Sequence, residues 1–442
     1  MRVSEHYSRW LVLGKNKPNT STSPFYSRMY AGYSVAQLSS LVEHIKDSRI
    51  KIPIFDPMSG QAFALSTLTW YGHEVRINDI NPAPLLLAWI RSAYILWSLE
   101  KRAAEFKIWL QDNKYQLDKL HQEYQSNIPF ITGWLSTSMT EQLQLYGHLA
   151  IDGSKKLNLV EIGKWDESIL FRLALLVLAA RRLTCHAQSD NRTWLKPGGL
   201  DNKPRLSDAI FQELDVLTNC SLVSDCRNEV NIFGSNLNKL ELSCTDISQT
   251  DLPIYRKKCI TITSPPYANR LDYSVMWGPE LWVLSTALPF INRETVKLDQ
   301  IGTTKIRHED DNAFFNQLPL NTRIELEQIE KSPEYASKSY YYPFFRQFAQ
   351  DLYTGLQHSI KSAPKSEKWI IFIRDTARKD VMFSSHAICE AVLNSYGYKR
   401  RKQEDLQIIR NHIGLMRRKQ TSSSIHGMAQ REWWLVFDRE GN

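Results

Sequence analysis

The residues best suited to chemistry lie between Cys259 and Asp272, in the run CITITSPPYANRLD. A short apolar strand feeds straight into Ser264, Pro265, Pro266 and Tyr267. Two consecutive prolines keep a backbone extended and remove two N–H donors, so the carbonyls beside them face outward from a stiff loop. In such a loop the Ser264 hydroxyl and the Pro265 carbonyl both accept hydrogen bonds from one amino group, and the Tyr267 ring supplies a flat face for stacking. That combination suits the amino edge of a planar base. An ordinary proline-stiffened turn after a buried strand has the same local sequence, so the elements around it decide between the two readings.

Upstream, a strand over Lys51 to Phe55 ends at Asp56, Pro57, Met58, Ser59 and Gly60. The pattern then predicts a helix from about Ala62 to Trp70, a stop at Gly72, and a second strand from Glu74 to Ile77 ending at Asn78 and Asp79. A glycine after the first strand lets backbone approach a ligand closely, and an acid about 20 positions on can hold two ribose hydroxyls. Asp79 lies nineteen positions beyond Gly60. Any strand–helix–strand crossover with a turn glycine and a capping aspartate shares this spacing. A third strand, Lys239 to Ser243, leads into Cys244, Thr245 and Asp246. Asp56, Asp79 and Asp246, with SPPY closing a fourth strand, would converge on one edge of a parallel sheet, where open α/β folds bind ligands. A lone strand-end aspartate is commonly a helix cap. Four such positions in order point to a site.

The chain's 442 residues suffice for two or three domains, or for one large domain with an insertion. Its most apolar stretch, Ile169 to Ala180, contains Arg172 and runs into Arg181 and Arg182, which is too short for a bilayer. The opening MRVSEHYSRW lacks the apolar core of a signal peptide, so the expectation is a cytoplasmic protein without membrane contact. Six cysteines fall at no zinc-ligand spacing, and reduced thiols with no metal are expected. A net charge of +8 suits a polyanionic partner.

Residues 1–83 read as a loose arm, Met1 to Ser23, a helix over Tyr33 to Ile45, and the first half of a cofactor-binding core. Residues 84–235 read as a mostly helical insertion, with helical patterns from Ala83 to about Leu120 and from Ile169 to Leu183, and a loop over Asn191 to Gly199. This block is either a cover or target-recognition region, or a packing subdomain. Residues 236–442 form the second half of the core. There Ser274 to Leu288 is helical, 292–337 a charged irregular loop, and Tyr340 to Ile360 an aromatic cluster turning into an amphipathic helix. Lys368 to Ile373 is a strand ending at Arg374 and Asp375, His386 to Tyr396 a helix, and Glu432 to Asp438 a last strand preceded by a basic stretch, Arg417 to Gln430.

Together, FDPMSG, NDINP, CTDIS and TSPPY, followed by IIFIRDTARKDV and REWWLVF, resemble the S-adenosylmethionine-dependent amino-directed DNA methyltransferases. The resemblance covers roughly residues 25 to 90 and 235 to 438. It implies a Rossmann-like class I methyltransferase sheet with helices on both faces and a large helical insertion. SPPY, as opposed to DPPY or NPPY, is typical of the enzymes that methylate the N4 amine of cytosine. Adenine N6 is the alternative target. By this resemblance Asp56, Pro57 and Gly60 shape the cofactor loop, Asp79 takes the ribose hydroxyls and Asp246 the adenine amine of S-adenosyl-L-methionine. Ser264, Pro265, Pro266 and Tyr267 form the base site, and Phe25 and Tyr26 match the methionine-side segment poorly. The implied partners are double-stranded DNA, with its target base flipped out, and a companion restriction endonuclease or defence-system subunit. One departure stands out: the family's loop has a second glycine where this chain has Ala62. A DNA-binding subunit of this family that has lost turnover is the competing expectation.

Overall fold

The computed structural model describes residues 52–60, 62–69, 72–94, 98–123, 134–151, 157–188, 195–198, 203–218, 240–268, 272–307, 312–333, 336–378, 381–402, 406–410 and 430–440. The expected arm Met1 to Ser23, Phe25 and Tyr26, the helix Tyr33 to Ile45, and residues 417–429 of the basic stretch lie outside them.

The described strands, in chain order, are β1 (Ile54–Asp56), β2 (Val75–Asp79), β3 (His186–Gln188), β4 (Leu195–Pro197), β5 (Leu240–Cys244), β6 (Cys259–Thr263), β7 (Ser366–Arg374), β8 (Thr376–Arg378), β9 (Val381–Phe383), β10 (Tyr398–Arg400), β11 (Leu406–Arg410) and β12 (Gln430–Arg439). The chain is α/β, with a mostly parallel seven-strand sheet to which β11 adds beside β12, an architecture compatible with a Rossmann-like fold. Two compact units divide it.

One unit comprises residues 53–59, 245–273 and 297–442. Its strands run in the order β10, β12, β7, β6, β1. β1 pairs parallel with β6, Ile54 opposite Ile260, and β6 parallel with β7, Thr263 opposite Ile371. β12 returns antiparallel along β7, and β10 and β11 are both antiparallel to β12. The near-continuous apolar run of β7 fits a strand covered on both faces: Trp369, Ile370, Ile371, Phe372 and Ile373 are all buried. Against it packs the helix Tyr342–Ser362, whose Phe345, Phe348, Leu352 and Leu356 recur at helical spacing and join the same core. Because β1, β6 and β7 are parallel, their carboxyl ends share one edge. Asp56, Ser264 and Asp375 follow there.

The other unit includes residues 60–244 and 274–296. β2 and β5 pair parallel, Ile77 opposite Leu242 and Asp79 opposite Cys244. Their ends are stitched by Ser243 Oγ donating to Asn78 Oδ1 at 3.0 Å and Cys244 Sγ to the Ile80 carbonyl at 3.3 Å. Around the buried helix Glu167–Leu183 pack the helices Pro82–Tyr94, Thr137–Ile151, Leu206–Thr218 and Gly278–Ala287. Polar ties fix that packing: Tyr146 donates to the Arg172 carbonyl and Arg172 to the Ala150 carbonyl, both at 2.9 Å.

The helical pattern expected from Ala83 to about Leu120 is met by the helices Pro82–Tyr94 and Ser98–Glu123. Two expectations need correction. Within the stretch expected as a loop, Leu195–Pro197 pairs with His186–Gln188 as a small hairpin. The segment 292–337 is not irregular: it contains the helices Arg293–Asp299, Asn312–Phe315 and Leu320–Lys331. In the last of these, Thr322, Leu326 and Ile329 are buried on one face. That stripe is narrow, and the charged residues between its members hide it in the sequence. No described helix is long and apolar enough to cross a membrane.

Candidate active site

At the end of β6 the chain leaves the sheet through Ser264, which is partly exposed, and Pro265, which is buried. Ser264 Oγ lies 3.5 Å from the Tyr267 hydroxyl, to which it donates. The hydroxyl lone pairs of Ser264 therefore stay available to an incoming donor. Pro266 is partly exposed, and Tyr267 beyond it is held from two sides. Its amide donates to the Tyr273 hydroxyl at 3.2 Å, and the Arg374 guanidinium carbon lies 5.1 Å from its ring centroid. The ring is only 5% exposed. The flat face expected from the sequence is thus covered by a cation.

The strand-end aspartates share one device. In each, one carboxylate oxygen accepts the N–H two residues on: Asp56 from Met58 at 3.1 Å, Asp79 from Asn81 at 2.8 Å, Asp246 from Ser248 at 2.8 Å. These are Asx-turns, which shape the loop after each strand. For Asp246 the capping and ligand-binding readings are compatible, because its second carboxylate oxygen has no hydrogen-bond partner among the described residues. Asp56 is fully buried beside Pro57 in the first unit described.

In that same unit Asp246 Oδ1 also accepts from the Ser248 hydroxyl at 2.8 Å. Its Oδ2 is buried and has no hydrogen-bond partner among the described residues. Burial raises the Asp246 carboxyl above its ordinary range, Asp299 raises it further and Arg307 opposes the rise. Arg307 is itself held by Asp351, by Asp299 at 3.8 Å, and through its amide by Gln347 at 2.6 Å. A buried acceptor oxygen in this setting fits an amino donor, such as that of an adenine ring.

In the other unit Asp79 Oδ2 accepts the Gly60 amide at 2.8 Å. Burial pushes the Asp79 carboxyl up to about 6, against the pull of the Asn81 and Gly60 amides. Gly60 turns with φ +50°, and an added Cβ there would meet nothing within 4 Å. Ala62, where a second glycine was expected, has φ +41° and is buried. The glycine-type backbone is kept although the residue is not glycine.

Sequence reasoning did not single out the cluster beyond β7. Asp375, buried, lies with both carboxylate oxygens 2.9 Å from His386 Nδ1, and its Oδ2 accepts from Trp433 Nε1 at 2.6 Å. The His386 and Trp433 ring centroids lie 4.8 Å apart, the rings tilted by 32°. Nearby, Glu325 accepts from the amide and hydroxyl of Ser384 at 2.8 and 2.7 Å, and burial raises its carboxyl. The strand-end pair Arg374 and Asp375 was visible in the sequence, but its partners come from a distant helix and strand. Among the described residues no group of three or more His, Cys, Asp or Glu side chains is placed to hold a metal ion.

Comparison of the chain with family models, with curated proteins and with solved structures gives no match.

Proposed function

We propose that the protein is a DNA methyltransferase acting on an exocyclic amine, with the N4 amine of a flipped-out cytosine as its target. The observation that carries this reading is the rigid loop after β6, in which Ser264 keeps free lone pairs beside a locked Tyr267. The exocyclic amine is a poor nucleophile because its lone pair is delocalised into the ring. Ser264 Oγ and the Pro265 carbonyl accept its two hydrogens and draw the nitrogen toward a pyramidal geometry. The lone pair is then directed out of the base plane. Tyr267, fixed by Tyr273, replaces the stacking lost when the base leaves the duplex. Arg374 swings off the ring as the base enters.

S-adenosyl-L-methionine, when bound, supplies an electrophilic methyl group on a sulfonium. By the family resemblance Asp246 would take its adenine amine, for which its buried Oδ2 is suited, and Asp79 would take its ribose hydroxyls. Asp56, Pro57 and Gly60 shape the loop around it. The left-handed backbone at Ala62 supports retention of that loop, and so favours an active enzyme over a subunit without turnover. Rate enhancement comes from positioning and electrostatics. The net charge of +8 supports a nucleic-acid substrate.

The test has two arms. Calorimetry should show binding of S-adenosylhomocysteine that weakens by at least tenfold in Asp246→Ala. Tritiated S-adenosylmethionine should label mixed-sequence duplex DNA, with incorporation reduced roughly hundredfold in Ser264→Ala. Absence of cofactor binding in the parent protein overturns the reading.

A further inference from the structure

The peptide that joins Ile247 to Ser248 is held from both sides. Its N–H is donated to Asp246 Oδ1 at 2.8 Å, and its carbonyl accepts from His358 Nδ1 at 2.8 Å. A carbonyl oxygen only accepts, so Nδ1 carries the proton and this contact sets the tautomer of the ring. The peptide is trans and planar, so its C=O and N–H face opposite ways and turn together. A shift of the His358 ring, or its loss, is therefore transmitted to the Asp246 carboxylate through a single plane.

His358 belongs to a stripe of the helix Tyr342–Ser362 that clips the loop after β5. Gly355, His358 and Ser362 are spaced three and four positions apart, which puts them on one face of the helix. At Gly355 the two segments come close: an added Cβ would stand 3.2 Å from Ile301 Cδ1 and 3.4 Å from Ile247 Cγ2. At Ser362 the hydroxyl accepts the Leu252 amide at 3.1 Å, and the carbonyl accepts the Tyr255 amide at 2.6 Å. The second ring nitrogen of His358 lies 3.9 Å from Oδ1 of Asp251, whose side chain is largely exposed, so solvent screens that pair. The bond to the peptide is the contact that fixes the ring.

The Asp246 carboxylate is oriented as a result. Its Oδ1 is occupied by the amide and hydroxyl of Ser248, both at 2.8 Å. Its Oδ2, buried and without a hydrogen-bond partner among the described residues, is left as the acceptor for a ligand. Such an oxygen discriminates by chemistry: a purine with an amine at C6 satisfies it, whereas an oxo group there sets lone pairs against lone pairs.

We propose that His358 is a positioning residue for the adenine of the cofactor: it holds the Ile247–Ser248 peptide so that Asp246 Oδ2 meets the C6 amine, and thereby sets the preference for a 6-aminopurine over a 6-oxopurine. The proposal rests on the reading of Asp246 as the adenine acceptor of a methyltransferase.

Calorimetric titrations of the full-length protein with S-adenosylhomocysteine and with S-inosylhomocysteine, its 6-oxo counterpart, test it. The parent should prefer the adenosyl ligand by about tenfold or more, and Asp246→Ala should abolish the preference. His358→Ala and His358→Phe should each reduce it about fivefold, by weakening the adenosyl ligand alone. His358→Asn, whose side-chain N–H takes the place of Nδ1, should restore most of it. A parent-like preference in both His358→Ala and His358→Phe overturns the inference, as does equal weakening of the two ligands, which marks a merely structural role. If Asp246→Ala removes the preference while those two variants keep it, the positioning role alone fails. If they lose it while the parent transfers no methyl group to DNA, the positioning role stands and the reaction assignment fails. A parent that binds neither ligand overturns both.

Discussion

Gly60 donates its amide to the Asp79 carboxylate across 2.8 Å, joining the loop after the first strand to the end of the second. Burial raises the Asp79 carboxyl from its ordinary 3.8 to about 6. The folded state therefore holds a proton that the unfolded chain releases between about pH 4 and 6. Stability from this group is fully present below pH 4 and is lost as pH rises through 6. Melting curves of the parent and Asp79→Asn from pH 4 to 7 should show the parent falling relative to the variant across that window. If Asp79 accepts the ribose hydroxyls of the proposed cofactor, affinity for S-adenosylhomocysteine should move oppositely in the parent, weakening below pH 6 as the carboxyl is protonated, and should be flat in the variant.

Ala62 holds φ +41°, a conformation that costs an L-residue about 1–2 kcal/mol. Glycine adopts it without strain but loses more freedom on folding. Ala62→Gly should therefore stabilise the protein by about 1 kcal/mol or slightly less, read by urea denaturation. Cofactor affinity should be retained or improved. Destabilisation of the variant would contradict the strain assigned to this turn.

Tyr273 gives the Tyr267 amide its acceptor. Tyr273→Phe removes that acceptor and should cost about 1 kcal/mol of stability. Under the proposed function it also loosens the loop that carries Tyr267, and methyl transfer should fall several-fold in kcat/KM for DNA. Calorimetric affinity for S-adenosylhomocysteine should be unchanged.

Much of this geometry was legible in the sequence, for stated reasons. Strands such as WIIFI and CITIT are short apolar runs bounded by turn residues, and the strand-end positions of Asp56, Asp79, Asp246 and Ser264 follow from them. The Asx-turns match the capping role that a strand-end aspartate commonly has, and Asp246 keeps beside it a buried oxygen without a hydrogen-bond partner among the described residues. What was not legible depends on partners far apart in the chain. Arg374 covers the Tyr267 ring, and His386 and Trp433 reach Asp375 from another helix and strand. The helix Leu320–Lys331 was hidden because only a narrow stripe of it is buried.

Asp375 is a buried carboxylate shared by His386 and Trp433. Asp375→Ala leaves the indole N–H and the imidazole without their acceptor and should cost about 3 kcal/mol by urea denaturation. His386→Ala, which removes only the partly exposed member, should cost clearly less. Equal losses in the two variants would contradict the assignment of Asp375 as the centre of the cluster.

The most direct measurement is mass spectrometry of nucleosides from mixed-sequence duplex DNA treated with the protein and isotopically labelled S-adenosylmethionine, beside a Ser264→Ala, Tyr267→Ala control. The account predicts labelled N4-methylcytosine that is absent from the control. Labelled N6-methyladenine would keep the reaction and change its base. No labelled nucleoside at all, from a protein shown to bind both cofactor and DNA, would contradict it.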